Sequence, residues 1–347
     1  MWKTKKRISS SRRYVKDKLR PFIAALTIFL PLLVFSQPQD AALIEVFFTR
    51  HDPVDKKLTS LISGSTQSLE GAFYELSYLP LCQEFKRASV RGVKVSLVLE
   101  HERADNTCFR LLQAQGIKII TDIQRPALMH NKFLIIDGQQ VWTGSTNLTT
   151  RGLFTNRNNA VLIKDPKIAS AFRTEFNEMF QDKLFGRESA HNTPFLFNLG
   201  PFPLSLLFSP EKDVSKLLFK LLQEASRSIT ISAFVLTDSS LIKILEQKKA
   251  QGLTILLILD KSQAKSTFSI AKKSQNLAEN IYIYRGKGKL HHKFMLLDEN
   301  ILVTGSYNFS RNAARYNDEN ILVLKNREIC RLYEAEVERI LNSAGRM

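Results

Sequence analysis

Set against itself at an offset of 160 to 161 residues, the second half of this chain restates the first in order. Ala72-Phe73-Tyr74 aligns with Ala233-Phe234-Val235, Arg91 through Glu100 with Gln251 through Asp260, and Met129 through Phe133 with Leu290 through Phe294. Two copies are too few for a solenoid, whose repeats need several neighbours to bury a continuous core. The duplication therefore predicts a fused pair of related domains with pseudo-twofold symmetry. At 347 residues the chain is long enough for two such domains, each with its own core.

Within each copy, short apolar runs alternate with helical patterns. Val95 to Leu99 and Ile255 to Leu259 are apolar enough to be central strands covered on both faces. Ile168, Phe172, Phe176, Met179 and Phe180 recur at helical spacing, as do Ile329, Leu332, Tyr333, Val337, Ile340 and Leu341, and these stripes are expected to be core faces. Strand, helix and strand, with glycine at the return, indicate an α/β sandwich around a mixed sheet in each half. The stretch from Gly186 to Pro203 holds Pro194, Gly200, Pro201 and Pro203 and is expected as the linker. That puts the first domain at residues 40–185 and the second at 204–347.

The chemistry-bearing pattern sits at the same place in both copies. The first has His130-x-Lys132, four residues, Asp137, six residues, then Gly144-Ser145-x-Asn147. The second has His291-x-Lys293, Asp298 and Gly305-Ser306-x-Asn308 at identical spacing. Six fixed residues would arise by chance about once in 10⁷ to 10⁸ starting points, and here they arise twice. This duplicated motif resembles the phospholipase D superfamily, which takes in phospholipases D, cardiolipin synthases and nucleases, and the resemblance covers nearly all of residues 44–342. It implies two similar phospholipase D-like α/β sandwich domains around mixed sheets, related by a pseudo-twofold axis, with both motifs at one active site. It also implies a covalent phosphohistidine intermediate formed without a metal.

Elementary chemistry agrees with that expectation. Phosphodiester cleavage needs a nucleophile, an acid for the leaving alkoxide, and positive charge around the nonbridging oxygens. If the runs after each motif are strands, His and Lys at i and i+2 share one face. Two copies would then offer imidazoles from His130 and His291, ammoniums from Lys132 and Lys293, and amides from Asn147 and Asn308 around one phosphate. Ser145 and Ser306 are expected to orient phosphate or a neighbouring side chain, and Gly144 and Gly305 to permit close backbone approach. Asp137 and Asp298 precede turn-like sequences, which favours turn-stabilising carboxylates over direct catalysis.

In many members of the resembled family a carboxylate 28 residues after the motif histidine bonds its Nδ1. Counting that distance gives Glu319 in the second copy but Asn158 in the first. Pairing each with its own histidine, the carboxylate favours a protonated His291 as general acid, grouped with Glu319 as catalytic, while the amide leaves His130 neutral as nucleophile. Asn158 in place of a carboxylate also leaves open an impaired activity.

Charge and the N-terminus bear on partners and location. The chain carries +17, of which residues 1–36 hold nine basic side chains and one acid. A basic body expects phosphate-rich partners, an anionic membrane surface or nucleic acid. After the basic run, Pro21 to Ser36 is sixteen uncharged residues broken by Pro31, short of the roughly 20 that a spanning helix needs. Residues 1–36 are expected to be a signal with a site at Val34-Phe35-Ser36, or an anchor with a basic flank. The protein is accordingly expected outside the cytoplasm, in the cell envelope, secreted or held by that segment. Three cysteines are too few for a disulfide scaffold or a Cys-rich zinc site, and no HExxH or GxxxxGK[ST] pattern occurs. The reading is a metal-free and cofactor-free phosphodiesterase of phospholipids, monomeric with an internal pseudo-dimer. The alternatives are an exported nuclease of the same superfamily and a catalytically impaired phosphate- or membrane-binding protein.

Overall fold

Seven strands of the first repeat and nine of the second build two mixed sheets, described in a computed structural model for residues 43–122, 127–199 and 202–347. The leader, residues 1–36, lies outside the described residues. In the first sheet the strand order is β1 (Ile44–Phe48), β7 (Asn159–Ile163), β6 (Gln140–Gly144), β5 (Lys132–Ile136), β2 (Ser68–Phe73), β3 (Lys94–Leu99) and β4 (Lys118–Thr121). Only β2, β3 and β4 run parallel to one another, as the helical crossovers between them require. The second sheet repeats that plan with β9 (Phe202–Ser209), β15 (Glu319–Lys325), β14 (Ile301–Gly305), β13 (Lys293–Leu297), β10 (Ser228–Ala233), β11 (Thr254–Asp260) and β12 (Ile281–Tyr284). It adds β8 (Leu196–Leu199) at one edge and β16 (Ala344–Arg346) at the other.

The period of two along each strand decides the layers. Phe133 and Ile135 of β5, with Phe294 and Leu296 of β13, join one central core shared by both repeats. Leu134 and Ile136 point to an outer core of the first repeat, and Met295 and Leu297 to one of the second. Helices α1 (Val54–Ser63), α2 (Leu79–Val90) and α3 (Thr107–Ala114) cover the first outer face, and Val54, Leu58 and Ile62 give α1 its buried stripe. Phe172 and Phe176 of α4 (Pro166–Asn177) enter the central core, as do Tyr333 and Ile340 of a later helix, Arg327–Leu341. Each aromatic ring withdrawn there contributes roughly 1.5–3 kcal/mol of burial. Asp165 caps α4 by accepting from Lys167 N and Ile168 N, with Pro166 preset for the first turn. Helices α5 (Val214–Glu224) and α6 (Ser239–Ala250) close the second outer face, and Arg327–Leu341 is α7.

Three details depart from the sequence expectation. The stretch expected as linker carries β8 and the first residues of β9, which pair as a hairpin on the second sheet, because Leu196 to Leu199 and the run from Leu204 supply strand-forming residues between the prolines. Leu332 is 49% exposed, since α7 turns it away from the core that takes Ile329 and Tyr333. Strand register also shifts one segment of the repeat alignment: Phe73 lies opposite Lys132 and Ala233 opposite Lys293, so Tyr74 corresponds to Phe234 and not to Val235.

Cys82 of α2 and Cys108 of α3 form a disulfide with Cα atoms 5.6 Å apart, and Cys330 is free and buried. Among the described residues no helix is long and apolar enough to cross a membrane.

Candidate active site

Lys132 and Lys293 open β5 and β13, and each motif histidine stands two residues earlier, beside a short bridge to the other repeat. The backbone hydrogen bonds show that bridge. His130 N donates to Asp318 O at 2.9 Å, and His291 N donates to Arg157 O at 2.8 Å. Each motif thus leans on the segment that precedes β15 or β7 of the opposite half.

The Nδ1 partners follow the same exchange, and they overturn the pairing counted along the sequence. Glu319 Oε2 lies 2.6 Å from Nδ1 of His130, and Asn158 Oδ1 lies 2.8 Å from Nδ1 of His291. The carboxylate of the second copy therefore serves the histidine of the first. The cause is topological: the repeats face one another, so the start of β15 and the residue before β7 each reach the other repeat's motif and not their own. Asn158 has its amide fixed, because Nδ2 donates to Gly152 O at 2.9 Å while Oδ1 accepts from Ser145 Oγ at 3.0 Å. Oδ1 can only accept from His291, so the His291 Nδ1 carries a proton and Nε2 is left for chemistry.

Lysine and aromatic groups complete a matched pair of half-sites. Lys132 Nζ donates to His130 O at 2.6 Å and lies 4.9 Å from the Tyr74 ring; Lys293 Nζ donates to His291 O at 3.1 Å and lies 5.4 Å from the Phe234 ring. Tyr74 and Phe234 also pack on the imidazoles, at 4.8 Å between centroids in both halves. The histidines are 6% and 8% exposed, so little but the reacting edge meets solvent. Asn147 and Asn308 are half-buried, and in both copies Oδ1 is buried without a hydrogen-bond partner.

The remaining motif residues are placed as supports. Ser145 Oγ is bonded to Asn158 and accepts from Asn159 N at 3.0 Å, and Ser306 Oγ accepts from Asn320 N at 3.0 Å, so both take the neighbour-orienting role and not the phosphate-binding one. Gly144 and Gly305 sit at φ 145° and 150°, where an added Cβ would meet backbone Asn159 O at 2.4 Å and Asn320 O at 2.3 Å. Asp137 accepts from the backbone of Thr66, Gln67 and Ser68, and Asp298 from Ser226, Arg227 and Ser228, tying each hairpin turn to the start of β2 or β10.

Burial and crowded cations dominate the electrostatics. Desolvation, then the charges of Lys132 and Lys293, hold His130 well below the ordinary 6.5; desolvation and the same two lysines do so for His291, with His130 adding to the effect. Burial drives Lys132 well below its usual value and Lys293 to about 7, although Glu319 pulls both upward. Burial lifts Glu319 to about 7 against the opposing pull of the lysines. The cations crowded around the two imidazoles depress one another, and a phosphate anion between them would relieve that repulsion. Among the described residues no three His, Cys, Asp or Glu side chains gather as a metal-ligand set.

Sequence reasoning passed over a layer beneath the histidines. Asn320 Nδ2 donates to Asn131 Oδ1 at 2.8 Å while its Oδ1 accepts from Thr143 at 2.9 Å; Asn159 Nδ2 donates to Thr304 at 2.7 Å and its Oδ1 lies 3.1 Å from His292. All of these groups are buried, and they lock the two motifs together across the pseudo-twofold axis. The available signal was Asn158-Asn159 and Glu319-Asn320, paired polar residues opening otherwise apolar strands in both copies.

Comparison with known proteins agrees with this architecture. The family model described as cardiolipin synthase, PLD-like domain, matches twice, at residues 58–180 and 218–341. A phospholipase D of Rickettsia prowazekii is 26% identical over 159 residues, 46% of this chain and 78% of that one. A mitochondrial cardiolipin hydrolase of Xenopus tropicalis is 29% identical over 133 residues, 38% of this chain and 63% of that one, so the match spans a little under two thirds of that relative. Among solved structures, a phosphatidylserine synthase of Haemophilus influenzae superimposes with a TM-score of 0.69 over 88% of both chains at 13% identity. A polyphosphate kinase of Porphyromonas gingivalis gives 0.67 over 88% of this chain and 48% of its own, at 14% identity. At such identities the likeness is one of fold.

Proposed function

The chain belongs to the PLD-like family of the cardiolipin synthase type, and from that premise we propose that it is a phosphodiesterase that hydrolyses phospholipids through a phosphohistidine, without a metal. The observation that carries the mechanism is the pair of Nδ1 contacts, Glu319 on His130 and Asn158 on His291, which leave both Nε2 atoms for substrate.

His130 is the nucleophile. Forming a P–N bond at Nε2 places positive charge on the ring, and the Glu319 carboxylate 2.6 Å from Nδ1 stabilises it while fixing the tautomer. The bond from phosphorus to the leaving alcohol oxygen breaks, and His291 Nε2–H gives that oxygen its proton. A ring backed by a neutral amide holds its proton less tightly than one backed by a carboxylate and so is the better donor. The phosphate anion supplies the charge that lets His291 carry the proton, because it offsets the two lysines. Lys132 and Lys293 neutralise the nonbridging oxygens, and the Nδ2–H groups of Asn147 and Asn308 donate to them. Water then attacks phosphorus with His291 as base, and the P–N bond breaks.

Named activities of the relatives, phospholipase D and cardiolipin hydrolase, support a phospholipid substrate. The surface does so as well. Residues 261–275, which follow β11 at the motif end of the sheet, carry Lys261, Lys265, Lys272 and Lys273, no acid, and Phe268 at 65% exposure. Exposed Arg285, Lys287 and Lys289 continue the basic rim toward His291. Cations around an exposed ring suit an anionic headgroup layer. The Cys82–Cys108 disulfide supports an oxidising location outside the cytoplasm.

The deciding experiment is a paired assay of the full chain in EDTA, with anionic phospholipid vesicles and single-stranded DNA side by side. Release of headgroup from vesicles, lost in His130→Ala, is expected. Faster cleavage of DNA than of lipid would transfer the site to the nuclease alternative. Turnover of neither substrate would favour the impaired reading, and activity that returns only with a divalent ion would remove the metal-free mechanism.

A further inference from the structure

Two matched segments lead into the motif histidines, and one side chain on them differs in charge. Leu128 N donates to Asn317 Oδ1 at 3.1 Å, and Leu128 O accepts from Asp318 N at 2.9 Å. In the other repeat Lys289 N donates to Asn156 Oδ1 at 3.0 Å, and Lys289 O accepts from Arg157 N at 2.8 Å. The offset of 161 residues that superposes the motifs carries Leu128 onto Lys289, and the two backbones make the same bonds. The segment before Lys289 is seated as well. Gly288, at φ 78°, would bring an added Cβ to 2.3 Å from Thr155 O, and Lys287 O accepts from Arg50 Nη1 at 3.0 Å and Tyr284 Oη at 3.1 Å. Lys289 is therefore a cation carried on a fixed backbone.

Its side chain reaches the His291 half of the site. Lys289 Nζ lies 5.1 Å from the Phe234 ring, which packs 4.8 Å from the His291 imidazole and 5.4 Å from Lys293 Nζ. Burial brings Lys293 down to about 7 and the Lys289 charge adds to that, against the pull of Glu319, so the two ammoniums feel each other. The His130 half is balanced differently. Arg103 lies 5.6 Å from the Tyr74 ring, but it donates to Tyr74 Oη at 3.3 Å, and that bond with the charges of Glu75 and Glu102 holds it above its ordinary value. The strand registers put Val235 and Ser262 where those two acids stand. Among the described residues no carboxylate forms an ion pair with Lys289, and its side chain is exposed.

In-line displacement decides what this cation faces. Attack by His130 Nε2 puts the departing oxygen on the opposite side of phosphorus, toward His291, which gives it a proton. The alcohol that leaves is thus delivered to the half of the site that carries Lys289, and the phosphatidyl group stays with His130. We propose, on the phosphohistidine reading above, that Lys289 selects the leaving alcohol, and that the preferred substrate is a phospholipid whose headgroup alcohol carries its own phosphate. A glycerol phosphate headgroup sets that second anion a few bonds from the departing oxygen, within reach of a flexible ammonium. A choline headgroup sets a cation there instead, and the like charges repel.

The test uses the full chain and short-chain lipids below their micellar concentration, so that no charged surface concentrates this basic protein. The headgroups are glycerol phosphate, glycerol and choline on the same acyl chains. The kcat/KM for glycerol phosphate is expected to exceed that for glycerol by about fivefold, the scale of one exposed ion pair, with choline lower again. In Lys289→Met that ratio should fall to about one, in Lys289→Arg it should persist, and in Lys289→Glu it should drop below one. Equal values for the three lipids in the wild type, or a loss in Lys289→Met shared equally by all, would overturn the assignment. A second arm omits lipid. A p-nitrophenyl phosphodiester forms the phosphohistidine, and added alcohols compete with water for phosphorus from the side that the leaving group vacated. Transfer to glycerol 3-phosphate should be about fivefold faster than to glycerol in the wild type and equally fast in Lys289→Met. That preference with no lipid turned over would remove the phospholipid reading and leave Lys289 its role; single-stranded DNA cleaved in place of lipid would assign the second phosphate to a nucleotide and overturn the lipid substrate. Absence of the preference would overturn the proposal whatever substrate is cleaved, and a chain that releases no nitrophenol would overturn both.

Discussion

His130 and Glu319, 2.6 Å apart at Nδ1 and Oε2, belong to different repeats. Because His291 is held in the same crossed manner by Asn158, neither half of the chain can orient its own histidine. The duplication is thus more than two similar domains side by side; each half completes the other's reacting group. The crossing also moves the single carboxylate from the expected acid, His291, to His130, the proposed nucleophile, where a charge formed on the ring could use it.

Glu319→Gln is therefore expected to act on the nucleophile. An amide in that position adds no compensating charge and can fix the wrong tautomer, which costs on the order of 10²- to 10⁴-fold in kcat where comparable triads have been altered. KM should change little, since Glu319 is wholly buried behind His130. Steady-state kinetics on vesicles check this, and an unchanged kcat would remove Glu319 from the mechanism.

Asn158→Asp gives His291 the carboxylate it lacks. The negative charge raises the imidazole pKa, so the ring stays protonated to higher pH and the alkaline limb of the rate profile should move upward. The change also sets a carboxylate oxygen against Gly152 O, where an amide now donates at 2.9 Å, and should cost about 1–3 kcal/mol of stability. A pH–rate profile with an unmoved limb would separate Asn158 from proton transfer.

Asp137→Asn should leave kcat alone and weaken the fold. The carboxylate accepts from Thr66, Gln67 and Ser68, and these bonds hold it below its ordinary 3.8 despite partial burial. A depressed carboxyl stabilises above the unfolded value and loses that contribution as pH falls through the folded one. Urea unfolding near neutrality is expected to show a loss of about 1–2 kcal/mol that narrows toward acid pH. A large drop in kcat at unchanged stability would return Asp137 to the chemistry.

What the sequence discloses and what it hides have distinct physical causes. His130, Lys132, His291 and Lys293 were legible because chemistry fixes both their type and their spacing, and the strands that follow are plain apolar runs. The turn role of Asp137 and Asp298 was legible from the residues beside them. Which carboxylate meets which histidine was not, since counting along the chain cannot report that the repeats face each other and exchange partners. Asn159 and Asn320 stayed hidden because buried amides look like strand-breaking polar residues until their partners Thr304 and Asn131 are brought across the axis.

The division of labour between the two histidines has its own consequence. A substrate with a good leaving group, such as a p-nitrophenyl phosphodiester, needs little protonation of the departing oxygen, so His291→Asn should still transfer phosphate to His130. The second half of the reaction is different, because water must be deprotonated to attack the phosphohistidine and the base has been removed. The covalent intermediate should therefore accumulate, with a burst of one leaving group per chain followed by slow turnover. His130→Asn should give no burst with any leaving group, since nothing replaces the nucleophile. Acid-labile, alkali-stable label from a phosphorus-labelled substrate, mapped to the peptide that carries Met129 to Phe133, is the expected result. Label recovered instead on the peptide that carries Leu290 to Phe294 would exchange the two roles, with Glu319 then backing the acid.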